Sequence, residues 1–323
     1  MSKGNLLSVR EDVQVLDATL RDGGLCNDFF FTDEFVRDLY NNNLEAGVDY
    51  MEFGYKASKK MFSPEKFGKW KFCDDEDIRS IVGDNDTEMK IAVMADVGRC
   101  DYKRDIRPRE ESPVDMVRIA TYIDTIRHAT AMIDHCHKMG YETAINIMAV
   151  SKNRTEDIRA ALDIFGQTPV DVIYLVDSYG SFYPEQIRDF TQLYLEYAEK
   201  YDKKLGIHSH NNQSLAFANT IDALKEGVSF LDCTVMGMGR GAGNCRSELL
   251  LGFLKNPKYM VEPIFDQIQN HMVKLKQDGV RWGFDIPYIL TGQRNSHPRT
   301  AIEFIKQGRT DYNNLRLELL DME

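Results

Sequence analysis

Eight short apolar runs recur along the first three quarters of this chain, with longer, more polar segments between them. They are "VQVLDATL" (13–20), "VDYMEFGY" (48–55), "KIAVMADV" (90–97), "VDMVRIATY" (114–122), "TAINIMAV" (143–150), "VDVIYLVDS" (170–178), "KLGIHSH" (204–210) and "FLDCTVMG" (230–237). Most are rich in Val, Ile and Met and nearly continuous in their apolarity. That is the pattern of parallel strands buried on both faces. The intervening segments carry a helical period. "TDEFVRDLYNNNLEAG" opens on Thr32 as an N-cap, has two acids in its first turn and stops at Gly47. "DTIRHATAMIDHCHKMG" and "SLAFANTIDALKEG" stop in the same way at Gly140 and Gly227. The interval 98–113 is charged and broken by Pro108, which predicts a loop with at most a short helix.

Eight strand–helix repeats are the count for an α/β fold of the (β/α)8 TIM-barrel type, which takes about 250 residues. A doubly wound open sheet has the same periodicity. The eight repeats, and the absence of G-x-G-x-x-G after the first strand, favour the barrel. From about residue 256 the pattern becomes helical and amphipathic, interrupted by a loop-like "GFDIPYILTGQRNSHPR" at 283–299. The predicted organisation is a catalytic barrel over 1–255 and a helical C-terminal extension over 256–323 packed on it.

Composition narrows the function classes. The chain has 323 residues, 43% of them hydrophobic, and a formal net charge of −11 with no basic run. A nucleic-acid or anionic-membrane surface is therefore excluded as a first reading. No apolar stretch approaches the ~18 residues of a membrane span, and "MSKGNLLSVREDVQ" is too polar for a signal peptide, so the chain reads as cytoplasmic. Its six cysteines are scattered without a C-x-x-C pair and read as reduced thiols.

In a barrel the C-terminal ends of all strands converge on one face, where chemistry collects. The polar residues at those ends are Arg21 and Asp22 after the first strand, Glu52, Asp96, Arg118 and Thr121, then Asp177 and Ser178, then His208 and His210. The glycine-dense "GMGRGAGN" follows the last strand and ends on Asn244. His208 and His210 are two residues apart, so on a strand they share a face, with Cα atoms roughly 6.5 Å apart. Alone, the pair also fits two strand-end histidines bonded to backbone. With Asp22 added from across the mouth, two imidazoles and a carboxylate suit a divalent cation. Arg21 cannot act as a base but can clamp an anion, and metal plus arginine is what an enolate oxygen needs. Its alternative is an ion pair with Asp22 or Glu52 that ties the barrel together. The glycine turn suits a close backbone approach to ligand or metal, with Asn244 offering an amide oxygen. His128, His135 and His137 fall within a predicted helix and read as surface or packing residues.

The motifs "DATLRDGG", "VRIAT", "DSYG", "GIHSHNN" and "GMGRGAGN" resemble the metal-dependent aldolase and lyase superfamily of 3-hydroxy-3-methylglutaryl-CoA lyase, isopropylmalate synthase and 4-hydroxy-2-oxovalerate aldolase. The likeness spans residues 13 to 255, and "MVRIATYID", "LVDSYGSFYPEQI" and "HSHNNQSLAFANTIDALKEG" look most like 4-hydroxy-2-oxovalerate aldolase. The resemblance implies that Asp22, His208 and His210 ligate the metal, with Asn244 beside them. It implies that Arg21 stabilises a pyruvate enolate, with Ser178 and His208 against the substrate. The ion would be manganese or magnesium first, with zinc, iron or cobalt also compatible. The implied reaction is cleavage of a 4-hydroxy-2-oxo acid to pyruvate and an aldehyde, or its reverse. A homodimer and a partner dehydrogenase are both compatible with it.

Two departures matter. Where the oxovalerate aldolases carry a catalytic histidine, three residues past the aspartate, this chain has Leu25. The CoA-lyase branch carries a cysteine in the glycine loop, and "GMGRGAGN" has none. Replacement proton acceptors are His297 in the "NSHPR" segment, Tyr179, or a metal-held hydroxide, and His297 is the side chain expected to serve. An acyl-CoA-dependent Claisen-type enzyme and a non-catalytic metabolite-binding barrel are the competing readings.

Overall fold

Eight parallel strands form where the apolar runs predict them, in the computed structural model that describes residues 7–321. They are β1 (Gln14–Asp17), β2 (Tyr50–Tyr55), β3 (Lys90–Asp96), β4 (Met116–Thr121), β5 (Glu142–Ile147), β6 (Val172–Asp177), β7 (Lys204–Ser209) and β8 (Phe230–Cys233). Each pairs with the next, and β8 pairs with β1, so the sheet closes into a TIM barrel. The first six residues, "MSKGNL", part of the polar opening read from sequence, lie outside the described residues.

Side chains alternate across the strands. Val15, Phe53, Val93, Ile119, Ile145, Ile173, Leu205 and Leu231 face outward into the shell of helices. Leu16, Tyr50, Ala92, Met116, Ala144, Val172, Tyr174 and Phe230 fill the barrel interior. One step further toward the C-terminal ends, inward positions on β2, β4, β5, β7 and β8 turn polar, as Glu52, Arg118, Asn146, His208 and Asp232.

The predicted helices form with their stops. Asp33–Glu45 begins at Thr32, whose Oγ1 accepts from the Phe35 amide at 3.2 Å. Ile126–Lys138 and Ala216–Glu226 are followed by Gly140 and Gly227, both at positive φ. Between 98 and 113 there is only the single turn Tyr102–Asp105 and a 3-10 turn Arg109–Glu111. No helix among the described residues is long and apolar enough to cross a membrane. All six cysteines are free.

Two expectations need correction. The first strand was expected to run to residue 20 but stops at Asp17, and Thr19–Gly23 winds into a helical turn. The Asp17 carboxylate causes the stop, accepting from the Thr19 amide at 3.1 Å and the Thr19 hydroxyl at 2.6 Å. The supposed loop at 283–299 contains the helix Ile286–Gln293, capped by Asp285 with Pro287 in its first turn. Pro and Gly masked the helical period there.

The extension lies across the C-terminal face of the barrel. Trp282 donates from Nε1 to the Met236 carbonyl at 3.1 Å, and the Gly283 amide donates to Gly241 at 3.0 Å. The Asn295 amide oxygen accepts from the hydroxyls of Ser151 and Ser181, at 2.6 and 3.0 Å. The tail thus bonds to the loops after β5, β6 and β8.

Candidate active site

The turn after β1 carries Arg21 and Asp22 into the barrel mouth, where β7 delivers His208 and His210. One ligand atom from each of Asp22, His208 and His210 lies within 4.8 Å of the others. All three side chains are buried. Both imidazoles are set by their Nδ1 partners. His208 Nδ1 faces the Asp232 carboxylate at 2.8 Å and His210 Nδ1 faces the Asp177 carbonyl at 3.0 Å. Proton donation from Nδ1 leaves Nε2 with a free lone pair, and in both residues Nε2 is buried without a hydrogen-bond partner. Two orphaned imidazole nitrogens beside a carboxylate are costly in a protein interior and well matched to a divalent cation. The residues fit the metal that their spacing suggested.

Asn244 sits against the same carboxylate. Its Nδ2 donates to Asp22 Oδ2 at 2.5 Å, and its Oδ1 is buried and unpaired. The backbone of the glycine loop comes equally close. A Cβ on Gly239 would lie 2.5 Å from Asp22 Oδ2 and 2.2 Å from Asn244 Nδ2, so only glycine fits.

Beneath the mouth runs a buried chain of charges. Arg21 donates from Nε to Glu52 at 2.8 Å and from Nη1 to Asp22 at 2.7 Å. Glu52 also accepts from Arg118 at 2.9 Å, and Arg118 reaches Asp232 at 2.6 Å, which holds His208. The guanidinium of Arg118 lies 4.3 Å from the ring centre of Tyr174. Burial opposes charge on Arg21, but Glu52 and Asp22 outweigh it and keep the guanidinium firmly protonated. Burial likewise opposes the Asp22 carboxylate, yet the Arg21 guanidinium holds it well below the usual carboxylate range. The candidate metal ligands and Arg21 are therefore one connected unit.

Above it opens a cavity of about 180 Å³, whose wall includes Arg21, Asp22, His208, His210, Asn146 and Leu25. Arg21 Nη2 makes no hydrogen bond with the described residues, and Arg21 is part of this wall. Asn146 brings an unpaired buried Oδ1. Residues 12–272 of this barrel match the HMGL-like family. The chain belongs to the HMGL-like family. It is 29% identical over 267 residues to oxaloacetate decarboxylase of Mycobacterium tuberculosis, covering 80% of this chain and 76% of that one. It is 28% identical over 254 residues to 4-hydroxy-2-oxovalerate aldolase of Pelotomaculum thermopropionicum, covering 77% and 72%. Among solved structures it resembles the N-terminal domain of a candidate aldolase from Bacteroides vulgatus, with a TM-score of 0.75 and 27% identity over 91% of this chain and 97% of that one. This HMGL-like chain is thus an enzyme of the aldolase and lyase kind.

Other residues singled out from sequence are placed less directly. Ser178 does not line the cavity, and its Oγ accepts from the Ala149 amide at 2.9 Å. That bond holds Ala149 in a left-handed conformation at the end of β5, so Ser178 shapes the rim. Leu25 stands in the cavity wall, partly exposed. His297 is carried to the rim by the tail, its ring edge-on to Tyr179 at 5.8 Å and its Nε2 3.3 Å from Arg240. Burial and the Arg240 charge push its pKa down to about 4. His135 faces the Ile106 carbonyl at 3.1 Å, in packing remote from the mouth.

Asp232, Asn146 and Arg240 were missed. Asp232 and Asn146 are inward-facing, in phase with Phe230 and Ala144 on their strands, and a strict period-two reading of "FLDC" and "TAIN" would have found them. Arg240 was visible in "GMGRGAGN" but carried no signal distinguishing it from a surface residue.

Proposed function

We propose that this chain is a divalent-metal-dependent aldolase that cleaves, or forms, a 4-hydroxy-2-oxo acid to give pyruvate and an aldehyde. The observation that carries the reading is the pair of orphaned Nε2 atoms of His208 and His210 beside Asp22, with Arg21 adjoining. A divalent ion bound by these three residues supplies Lewis-acid polarisation of the substrate's keto oxygen, with manganese favoured over magnesium by the imidazole pair. In cleavage the 4-hydroxyl loses its proton, the C3–C4 bond breaks and C4 leaves as the aldehyde carbon. The bonding pair becomes the enolate of pyruvate. Arg21 Nη2 faces the cavity with no other partner and donates to the enolate oxygen as charge develops there. Asn244 holds Asp22 in place, Gly239 leaves room for it, and Asp232 fixes the His208 tautomer.

Protein purified without chelator is expected to carry a stoichiometric divalent ion, lost in His208→Ala. With manganese added it should exchange the methyl protons of pyruvate for deuterium. Equal metal content in both proteins would remove the assignment of the ligands.

For the proton acceptor this reading favours His297 among the side chains, with a metal-held hydroxide as the alternative. Burial pushes the Cys26 thiol up to about 12 and raises the Tyr179 hydroxyl, so neither supplies an anion at neutral pH. His297 is uncharged at neutral pH. Its Nδ1 accepts from the Arg299 amide at 3.0 Å and its Nε2 faces Arg240 at 3.3 Å, so it takes a proton from substrate only once Arg240 gives way. Because its pKa is lowered to about 4, kcat/KM for cleavage should fall on acidification near pH 4 instead of near 6.5. His297→Ala should abolish that limb; a limb that persists in the mutant transfers the role to another group.

Leu25 favours a second reading. Decarboxylation of a 2-oxo diacid such as oxaloacetate reaches the same enolate by losing CO2, and needs no acceptor for a hydroxyl proton. A release of CO2 from oxaloacetate that outpaces aldol cleavage across an aldehyde panel would favour it.

A further inference from the structure

Lys71 is a buried cation with no anion answering it. It is 7% exposed, and its Nζ makes no hydrogen bond or ion pair with any described residue. Four ring faces surround the ammonium instead: Tyr55 at 4.3 Å, Phe62 at 4.6 Å, Phe29 at 4.8 Å and Phe67 at 5.8 Å. Aromatic faces stabilise a cation but accept none of its three N–H bonds in the way a carboxylate does. Buried charges are ordinarily paired. Lys71 lines the same cavity as Arg21, His208 and His210.

The charge balance of that cavity leaves room for an anion. Arg21 is answered by Asp22 and Glu52. The other cations in the wall are Lys71, Arg99 and Arg240, and they share one further acid, Asp96. Arg99 approaches Asp96 only to 3.8 Å and is otherwise largely exposed. Burial lowers the Lys71 pKa, and the nearby Asp96 opposes the shift.

The backbone builds this placement. Lys71 ends the turn Lys69–Lys71, which presses on β2 so closely that a Cβ on Gly54 would lie 1.9 Å from the Trp70 carbonyl oxygen. A Cβ on Gly68 would lie 2.0 Å from the Phe29 carbonyl oxygen. The Lys71 carbonyl accepts from the Ala57 amide at 3.2 Å.

We propose that Lys71, with Arg99 beside it, forms a second anion subsite, so that the aldehyde partner of pyruvate carries a carboxylate or phosphate remote from its carbonyl. This rests on the aldolase reading above. The group must survive the reaction: a cation holding a carboxylate that leaves as CO2 would oppose its loss of charge. The subsite thus favours aldol chemistry on a doubly anionic substrate over decarboxylation.

The test compares kcat/KM for condensation of pyruvate with succinic semialdehyde, glycolaldehyde phosphate and neutral butanal. The wild type should prefer a charged aldehyde over butanal by about 10-fold or more, and Lys71→Met should cut that ratio by about 10- to 100-fold. Lys71→Arg should retain part of the preference. Whichever charged aldehyde keeps the larger ratio separates carboxylate from phosphate. A wild-type ratio near one, or a ratio unchanged in Lys71→Met, overturns the proposal. If Lys71→Met fails to fold, Arg99→Gln should lower the same ratio, and an unchanged ratio there counts against the subsite. If the wild type neither exchanges pyruvate protons nor condenses any aldehyde, the aldolase reading falls separately. Calorimetric titration with succinate and inorganic phosphate then decides the subsite: binding lost in Lys71→Met upholds it, and equal binding overturns it.

Discussion

Arg21→Lys is expected to lose about 10²-fold or more in kcat while the barrel stays folded. The guanidinium does three things in one plane. Nε bonds Glu52, Nη1 bonds Asp22, and Nη2 is left for the substrate oxygen. A lysine ammonium keeps the charge but is a single point on a flexible stem. To reach the oxygen it must abandon Glu52 or Asp22, both buried. The loss should therefore appear in kcat more than in KM, because the Nη2 bond strengthens as the enolate forms. Steady-state kinetics with circular dichroism as a fold control is the measurement. Near-wild-type turnover in folded Arg21→Lys would leave the residue as a tie between Asp22 and Glu52.

Arg118→Met should cost about 3–5 kcal/mol of stability, the usual result of stripping one partner from a buried ion pair. Arg118 is wholly enclosed and bridges two carboxylates, Glu52 and Asp232, that have little other support. Removing it leaves Glu52 with Arg21 alone and Asp232 with His208 alone. Unfolding by urea or heat, followed for both proteins at neutral pH, reads the difference. A loss below ~1 kcal/mol would mean that the two acids simply take up protons, and that the charge network does not hold the barrel together.

Much of this was legible in the chain. Strand and helix positions followed from apolar runs and helix stops because burial on both faces leaves a continuous signal. Asp22, His208 and His210 could be grouped because strand ends converge on one face. Asp232 escaped because it lies one layer below those ends, inside a run that reads as apolar. Lys71 escaped for another reason. Its surroundings come from residues 29, 55, 62 and 67, which are brought together only by a turn folded back on β2. The placement of His297 depended on tail bonds such as those of Asn295 and Trp282, which have no periodicity to read. The helix at 286–293 was hidden by the very Pro and Gly residues that usually mark loops.

The tail decides how one arc of the rim is held. Asn295 laces the loops after β5 and β6 together, while Trp282 and Gly283 fasten the loop after β8. On the opposite arc, where Leu25, Lys71, Arg99 and Tyr122 border the cavity, the loops after β1, β2 and β3 are tied by bonds of their own, from the Gly68 amide to the Asp28 carbonyl at 2.9 Å and from the Ser58 amide to the Arg99 carbonyl at 2.8 Å. The rim is therefore laced in two ways, by the tail on one arc and by its own loops on the other. Arg99 is the exposed cation of that second arc and Lys71 the buried one. Shortening the tail would release the loops after β5, β6 and β8 while the other arc kept its own fastenings.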